Sequence, residues 1–240
     1  EVTEVNLPNA LQPPSVAHPF GTDHLGRDIL KRIIYGSRIS LLVGVTVVAI
    51  SMAIGTTLGL LAGYLGGWWD SIISRLVDIM LAFPFLLLAI AISATLGGSL
   101  WNVIIALGVA TFPSYVRLVR GCVLSIREEQ FIPAARSLGA GRRRIMFRHI
   151  LPNLLGTLLV FGTLRVSIAI LAESGLSFLG LGAKPPEPTW GNMLSDGRDY
   201  LLFDGWLPLF PGIAILITVL GFNLLGDGLR DLLDPRMKDL

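Results

Sequence analysis

The strongest constraint on this sequence is the length over which it carries no charge. Residues 39–69 are free of Asp, Glu, Lys and Arg for 31 positions, and residues 79–116 for 38. As helix the shorter run spans about 46 Å at ~1.5 Å per residue, against a hydrocarbon core of ~30 Å. With 52% hydrophobic and 15% charged residues over 240 positions, the chain is too apolar for a soluble domain of its size. The bilayer is its solvent. Backbone groups in lipid must be satisfied internally, and no strand-like alternation of the kind a barrel needs is present. The fold class is therefore all-α, a polytopic integral membrane protein.

Five spans are visible. Residues 39–69 form one span with a tail at Gly63-Tyr64-Leu65-Gly66-Gly67-Trp68-Trp69, where glycines break the helix and paired tryptophans suit the interface. Leu96-Gly97-Gly98-Ser99 divides residues 79–116 into two helices joined by a tight turn, with Pro84 predicting a kink in the first. Residues 154–180, interrupted by Arg165 and Glu173, form a fourth span, and residues 206–226 a fifth. The single Cys122 excludes an internal disulfide and a cysteine-rich metal cluster.

Loop charges give the orientation. Residues 117–149 carry eight arginines against Glu128 and Glu129, which makes that stretch cytoplasmic. The loop between the fourth and fifth spans, residues 181–205, carries Lys184 and Arg198 against four acids, as expected outside. Counting back three spans places residues 1–35 outside, where no apolar run could carry them across the membrane. A sixth helix upstream is therefore expected. Arg27, Lys31, Arg32 and Arg38 would then lie outside against the positive-inside tendency. Leu25, Ile29, Ile33 and Ile34 recur at helical spacing opposite Arg27, Lys31 and Arg32, which predicts an interfacial amphipathic helix within an extracytoplasmic segment of residues 1–37. The membrane domain then covers residues 38–229, and residues 230–240 form a cytoplasmic tail of mixed charge.

Residues 123–153 form the most informative cytoplasmic loop, which reads as helix, turn, helix. Phe131, Ala134, Ala135 and Leu138 share one face of a short helix, and Gly139 follows where a helix end calls for a left-handed residue. From Arg142 a second helix sets Ile145, Phe147, His149 and Ile150 among basic residues, and Pro152 opens the next span. An apolar helix in such a loop needs something to cover it, either a partner protein or, through its arginines, anionic headgroups.

Ala134-Ala135-x-x-x-Gly139 followed by Ile150-Leu151-Pro152 resembles the EAA loop of ABC importer permeases, with Pro133 where the family has its leading Glu. Three further stretches narrow the match. They are His18-Pro19-Phe20-Gly21-Thr22-Asp23 with Gly26-Arg27-Asp28, Leu176-Ser177-Phe178-Leu179-Gly180-Leu181-Gly182 with Trp190-Gly191, and Asn223-x-x-Gly226-Asp227 through Asp234-Pro235. Together they resemble the C-type permease of the dipeptide, oligopeptide, glutathione and nickel importers. The resemblance implies a type I importer (MetI-like) fold of six spans in a prokaryotic cytoplasmic membrane. It also implies a related B-type permease, two ATPase subunits that bind ATP and Mg, and an extracytoplasmic solute-binding protein. The ATPase-coupling residues it implies are Phe131, Ala134, Ala135, Leu138, Gly139, Ile150, Leu151 and Pro152.

Several residues carry two readings. Glu173 is either a pathway residue able to meet a peptide ammonium or a structural contact to the partner permease, and Arg165 is a second pathway candidate; ionisable groups in a span face a cavity or a partner. Arg75 and Asp78, at i and i+3, are expected to pair. His18, His24 and Asp23 match no metal-ligand spacing, and Asp23 or Thr22 is expected to cap the helix that follows. Pro185-Pro186-Glu187-Pro188 reads as a stiff segment, with Trp190 and Trp206 anchoring at the interface or meeting the binding protein.

No Walker-type phosphate loop occurs, so ATP hydrolysis is expected in partner subunits and the chain is not expected to be an enzyme. Three histidines, none set with a cysteine or paired carboxylates in a span, argue against membrane-enzyme chemistry. Nothing suggests nucleic acid. Di- or oligopeptides are the expected cargo, with glutathione or nickel as alternatives and an ATPase-independent channel or carrier as the different-class alternative.

Overall fold

The computed structural model describes residues 2–184 and 186–233. Its long helices are α1 (Ile29–Leu65), α4 (Leu100–Arg127), α6 (Arg142–Phe178) and α8 (Trp206–Leu233), and each is long and apolar enough to cross a membrane. Between α1 and α4 lie α2 (Gly67–Leu81) and α3 (Phe85–Leu96), which meet at 90° and make a fifth crossing if taken as one broken span. Short helices α5 (Phe131–Ser137) and α7 (Trp190–Arg198) sit in the two connections that follow α4 and α6.

Sequence punctuation explains most boundaries. Gly66 ends α1 at φ +66°, and Gly67 follows at φ +55°. Pro84 stands immediately before α3, so the expected kink is a full break between two helices. Ser99 caps α4 by accepting from the backbone of Asn102. Within α6, residues Ile145–Ile150 form a π-helical turn. Pro152 lacks a backbone donor, and the wider turn lets Leu151 N–H reach Met146 while the Asn153 amide donates to the His149 carbonyl at 2.6 Å.

The core is built around α1. Gly55, Gly59 and Gly63 stand at four-residue spacing against Tyr115, Val119 and Val123 of α4, and because both series rise together the helices are parallel. Small residues at this spacing let backbones approach closely, the usual device of helix pairs in lipid. Gly63 is thus a packing residue inside α1 rather than part of its breaking tail. On another side Gly44 faces Ile170 of α6, and Gly226 of α8 faces Leu164 of α6.

The structure corrects several expectations. Residues 25–34 are not an interfacial amphipathic helix: α1 starts at Ile29 and runs unbroken into the span, with Arg27 and Arg32 buried in protein. Its cap is Asp28, which accepts from Lys31 N–H at 2.9 Å, not Asp23 or Thr22, because Gly26 at φ +73° turns the chain before the helix can begin. Asp78 pairs with Arg117 of α4 at 2.6 Å rather than with Arg75. Arg117, Arg120 and Arg127 belong to the last turns of α4, and α8 continues through position 230 to Leu233. Asp234, Pro235 and Arg236 of the tail, and Pro185 of the proline segment, lie outside the described residues.

Candidate functional site

The hairpin after α4 is a helix held by one side and open on the other. Ile132 points inward, 1% exposed, into the cluster that contains Ile145, Met146 and Ile150. Burying an isoleucine of this size contributes about 1.5–3 kcal/mol, enough to fix a seven-residue helix that would not persist alone. Arg136 lies over the Tyr64 ring, 5.7 Å from its centroid, and so ties α5 to the end of α1. Tyr64, Arg136, Ala140, Arg142 and Ile145 line a cavity of about 410 Å³ beneath the hairpin.

The helix ends in two bonds. Gly139 N–H donates to the Arg136 carbonyl at 2.9 Å and Ala140 N–H to the Ala135 carbonyl at 3.0 Å, with Gly139 at φ +81°. This is the reversal that a glycine after a helix permits. Pro133 falls in the first turn, where its missing donor costs nothing.

Phe131, Ala134, Leu138, Gly139 and Pro152 are exposed, and Leu138 stands out at 89%. Ala135 and Leu151 are half-buried. Ile150 is wholly enclosed, so it packs the hairpin against the span and does not reach the outer face. The same loop exposes Arg142, Arg143, Arg144 and Arg148, so the exposed leucine and phenylalanine share it with a basic cluster.

At the opposite end of α1, residues 2–28 fold over the start of the helix and against α7. Asp23 accepts from Arg27 Nε at 2.7 Å and lies 3.5 Å from Arg32 Nε, with Asp196 of α7 3.8 Å from Arg27. The Asp23 carboxylate also takes the backbone N–H groups of Leu25 and Arg27, both at 2.9 Å. His18 Nδ1 lies 2.8 Å from Asp28, and His24 stacks on Tyr200. Trp190, buried, donates its indole N–H to the Ile33 carbonyl at 3.0 Å, so it neither anchors at an interface nor meets another protein. Trp206, half-buried, packs against Gly21.

The two charges of the fourth span separate. Glu173 is fully enclosed by its own chain; its Oε1 accepts from Ser177 Oγ at 2.7 Å, one turn further along α6, while its Oε2 is buried without a hydrogen-bond partner. With none of its surface exposed, its side chain does not reach a partner permease in this structure. Arg165 is half-buried, its guanidinium 4.7 Å from the centre of the Phe161 ring.

Sequence reasoning missed Ile132, the Tyr64–Arg136 contact and the Asp23 cluster. It also missed the two-point pairing of Asp70 with Arg120, at 2.5 and 2.8 Å. The glycine series of α1 was readable as a spacing, whereas partners 50 residues apart carry no local signal.

Residues 55–239 match the family described as binding-protein-dependent transport system inner membrane component. The dipeptide transport system permease protein DppC of Alkalihalophilus pseudofirmus is 55% identical over 235 residues, covering 98% of this chain and 77% of that protein. The glutathione transport system permease protein GsiD of Pectobacterium atrosepticum is 50% identical over 225 residues, covering 94% and 75%. Among solved structures, an inward-facing conformation of the MetNI methionine ABC transporter superposes with a TM-score of 0.69 at 19% identity, covering 85% of this chain and 97% of that one.

Proposed function

The chain belongs to the binding-protein-dependent transport system inner membrane component family, and from that premise we propose how it works within an importer. It is a multi-pass membrane permease of an ABC importer of the dipeptide and glutathione type. The proposed assembly pairs it with a related B-type permease, two ATPase subunits and an extracytoplasmic solute-binding protein. ATP and Mg are bound by the ATPases. Di- or oligopeptides are the proposed cargo, with glutathione the second reading because a glutathione permease shares half of the sequence.

One observation carries the coupling proposal: α5 is fixed from behind by Ile132 while Leu138 stands almost fully exposed at its tip. A helix clamped on one face and bare on the other can take a push from a docked partner and pass it to α1 and α6. In the proposed cycle, ATP closes the ATPases, α5 is displaced with them, and the spans open toward the outside to receive solute. Hydrolysis resets the arrangement.

The test is uptake in cells lacking this chain, complemented with the wild-type gene. Recovery of labelled dipeptide uptake is the expected result, and recovery of nickel uptake alone would overturn the cargo assignment. Reconstituted permease that moved dipeptide without ATPase subunits would replace the importer by a carrier.

A further inference from the structure

Residues 154–180 hold only two charges, and the structure accounts for one of them. Glu173 is enclosed and bonded to Ser177. Arg165 lies eight residues away, about 12 Å along the helix at ~1.5 Å per residue, beyond its reach. Among the described residues no carboxylate forms an ion pair with Arg165. A guanidinium in the middle of a span, always charged and unpaired, is costly, and such groups are kept where they meet a cavity or a ligand.

Its surroundings point to a cavity. The Phe161 ring under the guanidinium is held edge-on by Tyr115 at 5.0 Å, so the platform is fixed from α4. Phe161 is also part of the wall of a cavity of about 500 Å³ formed by α4, α6 and α8, lined further by Asn153, Thr157, Leu164 and Arg230. Arg165 therefore stands one side chain from an open, mostly apolar groove that runs along α6 toward the end carrying α5, with Asn153, Thr157 and Arg230 as its polar points. The volume is in the range of small-molecule sites.

Resting on the peptide-importer reading, we propose that Arg165 is the intramembrane contact for the free carboxylate of the transported solute. The planar fork of a guanidinium matches a carboxylate at two points, and the Phe161 ring, 4.7 Å from the guanidinium carbon, restricts where that fork can lie. The solute would lie along α6, its carboxylate on Arg165 and the remainder among Phe161, Thr157 and Asn153. No acid faces this space from the residues that line it, so an anion entering it meets no like charge.

The test uses the complete reconstituted importer with saturating binding protein. It compares a free-acid dipeptide with its C-terminal amide for wild type, Arg165→Gln and Arg165→Lys. The binding protein's own preference is common to all three preparations and cancels. Free-acid uptake is expected to fall about tenfold in Arg165→Gln while amide uptake stays unchanged, with Arg165→Lys between. An equal fall for both solutes would mean that Arg165 pairs with the second permease instead, and no change in either would also overturn the proposal. A second readout does not need transport: the unfolding midpoint of the detergent-purified importer without binding protein should rise with the free acid, not with the amide, and not in Arg165→Gln. Absence of that rise in wild type overturns the carboxylate site. Failure of the wild-type importer to carry either dipeptide sinks the peptide reading instead, so the two failures are told apart.

Discussion

Gly59 of α1 and Val119 of α4 touch so closely that a Cβ added to the glycine would lie 2.7 Å from the valine Cβ and 2.9 Å from the Val116 carbonyl oxygen. That distance leaves no room for a methyl group without moving one helix. Gly59→Val should lower the stability of the purified assembly by about 1–3 kcal/mol, read as a fall in thermal midpoint. Gly59→Ala should be milder and should recover in part when combined with Val119→Ala, since the second change removes the Val119 Cγ1, which also lies 2.9 Å from the added methyl, and lets the remaining contacts relax. Full additivity of the pair would show that the close approach is not what sets the effect.

Gly139 presents the opposite situation. A Cβ there would meet nothing within 4 Å, so only the backbone at φ +81° restricts the side chain. A β-branched residue in that conformation costs about 1–2 kcal/mol, whereas asparagine tolerates it. Gly139→Val should therefore uncouple uptake from ATP hydrolysis while membrane insertion and assembly stay intact, and Gly139→Asn should transport almost normally. The measurement is the ratio of solute moved to ATP hydrolysed in proteoliposomes. Normal uptake in Gly139→Val would overturn the coupling role of this hairpin.

Spans and their breaks were legible because charge-free length, glycine pairs and Pro84 act locally. The helix end at Gly139 was legible for the same reason. Arg27 and Arg32 misled the reading, since a basic residue on a helical wheel looks the same whether it faces headgroups or a buried carboxylate. Only the fold brings Asp23 and Asp196 to them. Asp78 likewise found Arg117, 39 positions away, in preference to its near neighbour Arg75. Ile132 escaped notice because the short helix has two apolar faces, and the sequence does not say which one the core takes.

Those two faces give a paired prediction. Leu138→Ser alters only an exposed side chain, so the thermal midpoint should stay within about 0.5 kcal/mol of wild type while coupled uptake drops severalfold. Ile132→Ala empties a core position and should cost about 2–5 kcal/mol, lowering midpoint and uptake together. If Leu138→Ser left transport unchanged, the exposed leucine would not be part of the docking face. If it lowered the midpoint as much as Ile132→Ala, its exposure would not describe the assembled state.

Asp23 supplies the last prediction. Its carboxylate takes the Arg27 guanidinium and two backbone N–H groups while lying within 3.5 Å of Arg32. Removing it in Asp23→Ala takes the nearest carboxylate from two buried arginines, leaving Arg27 only Asp196 at 3.8 Å and Arg32 the Val2 carbonyl at 3.3 Å, and breaking a buried pair from one side costs about 3–5 kcal/mol. The segment of residues 2–28 should then come away from the start of α1, which limited proteolysis of reconstituted vesicles would detect as new cleavage before Ile29. Asp23→Asn keeps an acceptor for the two N–H groups but not the charge, so it should fall between wild type and Asp23→Ala. The α5 hairpin lies at the other end of α1, so its protease pattern should not change. Equal loss of protection at both ends would mean that the Asp23 cluster supports the whole helix rather than the cap over its start.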